Sequence, residues 1–358
     1  MQVAMLLDAL VRNTDLSLSA IVMNEGRLAS ELRASGVDTL VIPEDKLGLP
    51  GIISQAVRHI AQFKPRVLHS HRYKENLVAR IAAWRCGVPV LVRTQHGLPE
   101  PFAGLRHGKQ MLTQFLDRLI ARYATSGIIS VSQEMQSHLG RSIPGRRIFT
   151  IPNGLDCRRV HSKLSRVEAK ARLGFAGQEP VLGTAARVEP IKRLDLFIRA
   201  AALVLAREPR ARFLVVGDGS DLPRLRELAR NIGCAGRFTF LGHRDDIHDI
   251  LRALDVFVMS SDHEGLPMVL LEALYLGTPV VARAVGGISE VLDRGACGLL
   301  VDSADPAALS AACLQVLCDS GLRERLQQQG PARVAAAYDV QQTASRVAEL
   351  YRELLRTK

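Results

Sequence analysis

Short apolar segments alternate with amphipathic helical segments along the whole chain, and this alternation limits the possible folds more than any other feature. Residues 17–23 (LSLSAIV), 37–42 (VDTLVI), 67–69, 88–93 (VPVLVR), 127–131 (GIISV) and 147–151 (RIFTI) read as strands. Helical periodicity occupies 1–12, 26–35, 51–62, 74–85, about 104–124 and 133–139. Short apolar strands separated by helices build βαβ units around a parallel sheet buried on both faces. The turn IPNGLD at 151–156 and a polar, basic stretch after it interrupt the pattern. It then resumes with strands near 180–187, 212–216, 237–241, 255–259, 279–283 and 298–301. Asp305–Pro306 reads as an N-cap followed by proline at the first helical position. A last helix at about 341–356 has no strand after it. At roughly 150 residues per domain, 358 residues suit two domains, here 1–160 and 161–338, with 339–358 as a terminal helix. Two doubly wound domains are expected to face a central cleft lined by the carboxyl ends of their strands, where open α/β sheets bind ligands.

Composition narrows the class. Apolar residues are 47% and charged residues 23%, which excludes a disordered chain. No run reaches the ~18–20 apolar residues of a membrane span; MVLLEALYLGTPVV is broken by Glu272 and Gly277–Pro279. The opening MQVAMLLDALVRNT lacks a basic region and carries Asp8, so it does not read as a signal peptide. Six scattered cysteines without a C-x-x-C pair indicate neither a zinc site nor a disulfide framework, and a reducing cytoplasm is expected.

Charge is unevenly placed. Residues 64–159 hold 16 Lys and Arg against 5 Asp and Glu, whereas the whole chain carries a net +11. That block therefore accounts for the entire excess and predicts an anionic partner: a phosphorylated substrate, an acidic membrane surface or nucleic acid. With only 4% aromatic residues for base stacking, nucleic acid is the weakest of these. The basic segment GLRHGKQMLTQFLDRLIARYA at 104–124 presents a Leu/Met/Phe face suited to anionic lipid, although a core helix with a solvated edge is the simpler reading. Peripheral attachment to the inner face of the cytoplasmic membrane is thus an expectation.

Two clusters carry chemistry. In EGLPMVLLE, 264–272, Pro267 fits a helix start and Gly277 its stop. On one continuous helix the two glutamates would lie ~80° apart. The Gly265–Pro267 break instead lets Glu264 precede the helix while Glu272 sits in its second turn. Backbone N–H groups between them form an anion site, so a ligand with a central phosphate and hydroxyls at both ends, such as a nucleotide sugar, suits all three features. In isolation, E-x7-E reads as readily as two solvated glutamates flanking a cap. In GTAARVEPIKRLD, 183–195, Arg187 and Lys192 follow a strand and suit a diphosphate; a solvated basic loop is the alternative. The H-x-H of LHSHRYKEN, 68–76, suggests either acceptor contacts by His69, His71 and Lys74 or sheet caps, and no third ligand accompanies it as a metal pair. VVGDGSDL, 215–222, has Leu222 where a dinucleotide fingerprint needs its third glycine, so a dehydrogenase is not expected.

The motifs RVEPIKRLD, FLVVGDGSDLPRL, FLGHRDDI, DVFVMSSDHEGLPMVLLEAL, GTPVVARAVGGISEVL and IPNGLD, in that family's order, resemble the family 4 retaining glycosyltransferases of GT-B fold. The resemblance covers nearly the whole chain and is strongest from 151 to 302. It implies two Rossmann-like domains, the first on the acceptor side and the second binding the nucleotide sugar, with the terminal helix crossing back to the first. It implies that Arg187 and Lys192 bind the donor diphosphate, that Glu272 accepts hydrogen bonds from the ribose, and that Glu264, Gly265 and Leu266 meet the transferred sugar. Gly242–Ile247, with Arg244, would line the base pocket, and His96 would face the sugar at the reaction centre. A UDP- or GDP-sugar is the implied donor, a glycan or lipid-linked hydroxyl the acceptor, with no metal and no cofactor. Family members normally begin with a strand and a glycine-rich loop before the first helix. This chain opens in what reads as that helix, so a nucleotide-sugar-binding pseudoenzyme or subunit is the competing expectation.

Overall fold

The computed structural model describes residues 2–97, 111, 116–117, 119–176 and 178–358. The segment 104–124, with its expected lipid-facing surface, lies largely outside the described residues. The chain divides into two compact units, Met1–Gly154 together with Asp339–Lys358, and Leu155–Tyr338. The division falls inside the IPNGLD turn, a few residues before the expected boundary at 160.

The first unit contains β1 (Ser19–Met23), β2 (Asp38–Ile42), β3 (Val67–Ser70), β4 (Val90–Gln95), β5 (Gly127–Ser130) and β6 (Ile148–Thr150). Every pairing is parallel, as apolar strands joined by helical crossovers require. Among the described residues the strands do not form the single sheet expected of a doubly wound domain. β1 pairs with β2 in a two-stranded sheet, and β3–β4–β5–β6 form a second sheet in sequential order. Shared helices cover both faces of the smaller sheet. Ile21 and Met23 of β1 pack against Ile52 and Ala56 of helix Leu49–Phe63 and Val78 of helix Tyr73–Cys86. Ala20 and Val22 face Ala4 of helix Gln2–Asn13 and Leu32 of helix Arg27–Ala34.

The terminal helix Val340–Arg356 belongs to this unit and buries Val340, Ala344, Val347, Leu350, Tyr351 and Leu354 along one stripe. A side chain on Gly127 would come within 3.1 Å of Leu354, so the small residue in β5 is what lets the helix approach.

The second unit contains β7 (Val181–Ala185), β8 (Arg212–Val216), β9 (Phe238–Gly242), β10 (Val256–Met259), β11 (Val280–Arg283) and β12 (Leu299–Val301). They form one sheet ordered β12–β11–β10–β7–β8–β9, every ladder parallel. Chain order runs outward in opposite directions from β7 and β10, so the topological switch point lies between these neighbours. Phe197, Phe213 and Val258 are fully buried in the core cluster on one side of this sheet. Asp305 caps helix Pro306–Cys318 by accepting from the Ala307 N–H at 3.0 Å. Among the described residues no helix is long and apolar enough to cross a membrane.

Candidate active site

The carboxyl ends of β7 and β10 carry the residues of the two clusters. The chain leaves β7 through Arg187 and reaches Lys192 at the end of the 3-10 turn Pro190–Lys192. It leaves β10 through Ser260 and Ser261 to Glu264. Although 72 residues apart, Lys192 Nζ donates to both Glu264 carboxylate oxygens, at 2.8 and 2.9 Å. Their side chains are only 15% and 8% exposed. Ser261 Oγ donates to Glu264 Oε1 at 2.6 Å, and Ser260 Oγ donates to the Lys192 carbonyl at 3.0 Å. The couple is therefore fixed from both loops. An ion pair this buried is weak evidence of a role in stability, because desolvation of both charges offsets their attraction. Its position at the switch point favours a ligand-binding role.

Behind Glu264 the backbones meet at van der Waals limits. Gly286 has φ +56°, and a Cβ there would lie 1.8 Å from the Glu264 carbonyl oxygen. The Gly287 N–H donates to the Gly265 carbonyl at 2.8 Å. Glycine is thus required at 286 by both conformation and space. Pro267 is the N-cap of helix Met268–Tyr275 and supplies no side-chain cap, which leaves the amide end of the helix open to an anion. It sits one place before the first-turn position expected from the sequence. Glu272 lies in the second turn, 3% exposed, between the buried Leu271 and Ala273. A carboxylate at a buried position of an apolar helix is costly unless it is paired.

Arg187 is exposed at the end of β7. Its backbone is clamped by the GDG loop: Val188 N donates to Asp218 O at 2.9 Å, and Asp221 N to Val188 O at 3.0 Å. A Cβ on Gly217 would lie 1.9 Å from Ala186 O, and one on Gly219 2.2 Å from Val188 O. The G-x-G thus permits close approach of two chain segments. Gly217 N also donates to Gly242 O at 2.8 Å, which brings the expected base-pocket segment against the same loop. Arg244 turns back on Asp246 (2.8 and 2.6 Å), an ion pair within Gly242–Ile247.

The first unit gathers three histidines at the carboxyl ends of β3 and β4. His69 and His71 stack with ring centroids 4.4 Å apart, and His71 and His96 at 5.3 Å. His71 Nδ1 lies 3.0 Å from His96 Nε2. His69 is bound on both nitrogens, to Tyr351 Oη at 2.6 Å and Thr94 Oγ1 at 2.7 Å. Lys74, an expected acceptor contact, is engaged by Glu44 at 2.5 Å. Among the described residues no three His, Cys, Asp or Glu converge as metal ligands.

Burial is the largest effect on all three imidazoles. It pushes His69 down to about 3 and His71 well below the ordinary range, each helped by its histidine neighbours. His96 falls to about 4, with Arg72 beside it acting in the same direction and Asn153 opposing. Because the folded values lie below the unfolded value near 6.5, their contribution to stability is complete above pH 6.5 and lost as pH falls towards 4. Each such ring costs up to about 1.4 kcal/mol per pH unit below 6.5, so the chain is expected to lose a few kcal/mol between pH 6.5 and 5. Urea midpoints at pH 7 and pH 5 check this, and a level midpoint would contradict it.

Several residues here lie inside the quoted motifs, but nothing in the sequence gives them a role of their own. Ser260 and Ser261 are ordinary serines until the fold sets them against Lys192 and Glu264. Asn153, beside His96, sits in IPNGLD, which reads as a turn and a resemblance motif but gives Asn153 no role of its own.

The fold is that of the GT-B glycosyltransferases. The Anabaena Alr3699/HepE structure in complex with UDP and glucose aligns at TM-score 0.84 and 22% identity, covering 98% of this chain and 95% of that one. Sucrose-phosphate synthase from Thermosynechococcus elongatus aligns at 0.78 and 21%, covering 95% and 100%. Residues 9–159 match Glycosyltransferase Family 4, and residues 165–333 match Glycosyl transferases group 1. D-inositol 3-phosphate glycosyltransferase of Geodermatophilus obscurus is 32% identical over 372 aligned positions, 96% of this chain and 80% of that protein. Its counterpart from Rhodococcus jostii is 33% identical over 324, covering 84% and 69%. The chain belongs to the family 4 glycosyltransferases.

Proposed function

We propose that this glycosyltransferase moves a hexose from a UDP- or GDP-sugar to a hydroxyl of a glycan or lipid-linked acceptor, with retention of anomeric configuration. The observation that carries the reading is the Lys192–Glu264 couple at the switch point of the second unit. Arg187 and Lys192 take the charge of the departing diphosphate, the role a metal ion would otherwise fill. Glu272 accepts from the ribose hydroxyls. Glu264, with the N–H groups of Gly265 and Leu266, holds hydroxyls of the transferred sugar, and Gly242–Ile247 borders the base. His96 faces the sugar. No side chain attacks the anomeric carbon: the acceptor hydroxyl forms the new bond on the face the diphosphate leaves, and the diphosphate takes its proton. The relatives are named for D-inositol 3-phosphate, and the cation excess of residues 64–159 suits an acceptor that carries negative charge. We assign the reaction to cell-envelope or exopolysaccharide synthesis.

The division of the first unit into two sheets favours a second reading, a nucleotide-sugar-binding protein without transferase activity. NMR of the product from an α-configured donor, with EDTA present, separates the two. An α-linked product is expected. A β-linked product, or loss of activity in EDTA, would overturn the mechanism, and nucleotide binding without any transfer would favour the second reading.

A further inference from the structure

The H-x-H motif is not used by the donor chemistry, yet the fold builds it into a row ending on His96. His69 and His71 flank Ser70 at the end of β3, and His96 follows β4, the strand paired beside it. His69, tied by both nitrogens to Tyr351 and Thr94, cannot turn without breaking two hydrogen bonds. It forms a fixed plate against which His71 stacks at 28° between planes. His71 in turn places Nδ1 3.0 Å from His96 Nε2.

We propose that His71 is a positioning residue, which holds His96 in one ring orientation and one tautomer through the Nδ1–Nε2 hydrogen bond. The inference rests on the reading of His96 as the residue facing the transferred sugar. Two neutral imidazoles bond only when one nitrogen of the contact carries the proton and the other does not, so the tautomers of the two rings are coupled. Burial keeps both rings neutral, which satisfies that condition. Fixing the contact nitrogen also decides whether His96 Nδ1 donates or accepts. A ring held by Asn153 alone would divide its time between tautomers and orientations, and the lost pre-organisation would be felt in turnover more than in donor binding.

Two substitutions separate the hydrogen bond from the stack. His71→Phe keeps a ring of similar size on His69 but has no nitrogen, whereas His71→Asn loses the stack and keeps an amide near the Nδ1 position. The readout is release of nucleoside diphosphate from whichever of UDP-glucose and GDP-mannose the wild type turns over. His71→Phe is expected to lower kcat at least tenfold with KM for the donor within about twofold, and His71→Asn to recover kcat to within about threefold of wild type. Unchanged kcat in His71→Phe, or equal losses in both variants, would overturn the inference. His96→Ala distinguishes the two levels. Wild-type turnover there removes the reading on which the inference rests, and an inactive His96→Ala beside an unimpaired His71→Phe removes the inference alone.

Discussion

Replacing Lys192 with alanine is expected to lower kcat/KM for the nucleotide-sugar donor at least tenfold, and on the order of a hundredfold, in a chain that still folds. The magnitude follows from the bonds lost. A hydrogen bond to a charged group contributes about 1.5–3 kcal/mol, or roughly 10- to 150-fold. Lysine has three N–H donors, and two go to Glu264, so under the proposed assignment the third serves a phosphate oxygen. The substitution therefore removes a diphosphate contact and also frees Glu264, which Ser261 alone would then orient. Some stability is lost because a carboxylate only 8% exposed loses its counter-charge. The hydrogen bond from Ser261 Oγ limits that loss. Steady-state kinetics beside a thermal melt measure both, and wild-type kcat/KM in folded Lys192→Ala would remove Lys192 from the site.

Glu272→Ala is expected to act on binding. Glu272 is one turn inside helix Met268–Tyr275 and buried at 3%, where its neighbours Leu270, Leu271, Ala273 and Leu274 are all packed core. An acid at that position is a poor choice for packing, and alanine is a better helix former. The gain in helix propensity offsets part of what the carboxylate contributes in place, so the variant is expected to fold. A carboxylate that accepts two ribose hydroxyls contributes several kcal/mol in ligand-bound form, and losing it should weaken nucleotide binding by at least tenfold.

The elements that carry this candidate site are legible in the sequence because they follow local patterns. The Gly265–Pro267 break separates Glu264 from Glu272, and a strand ending before Arg187 marks the cation loop. Helix and strand positions follow from apolar periodicity, and the helix at 268–275 ends within one residue of the expected place. Direct bonding of Lys192 to Glu264 is not legible, since no pattern spans 72 residues and the contact exists only because β7 and β10 are neighbours. The glycines at 217 and 219 read only as an incomplete fingerprint, and Gly286 has no separate signal. Their necessity comes from carbonyl oxygens of distant segments less than 2.5 Å from any added Cβ. The two-sheet arrangement of the first unit is hidden for the same reason: periodicity identifies strands but not which of them pair. The histidine row is visible only as H-x-H and an isolated His96 until β3 and β4 are set side by side.

The measurement that bears most directly on the central claim is calorimetric titration of UDP and of GDP into the chain, beside Glu272→Ala. Micromolar binding of one of the two nucleotides, weakened at least tenfold in the variant while its melting temperature holds, is the predicted result. Failure of both nucleotides to bind, or equal binding by wild type and Glu272→Ala, would contradict the assignment of the donor site to the switch point of the second unit.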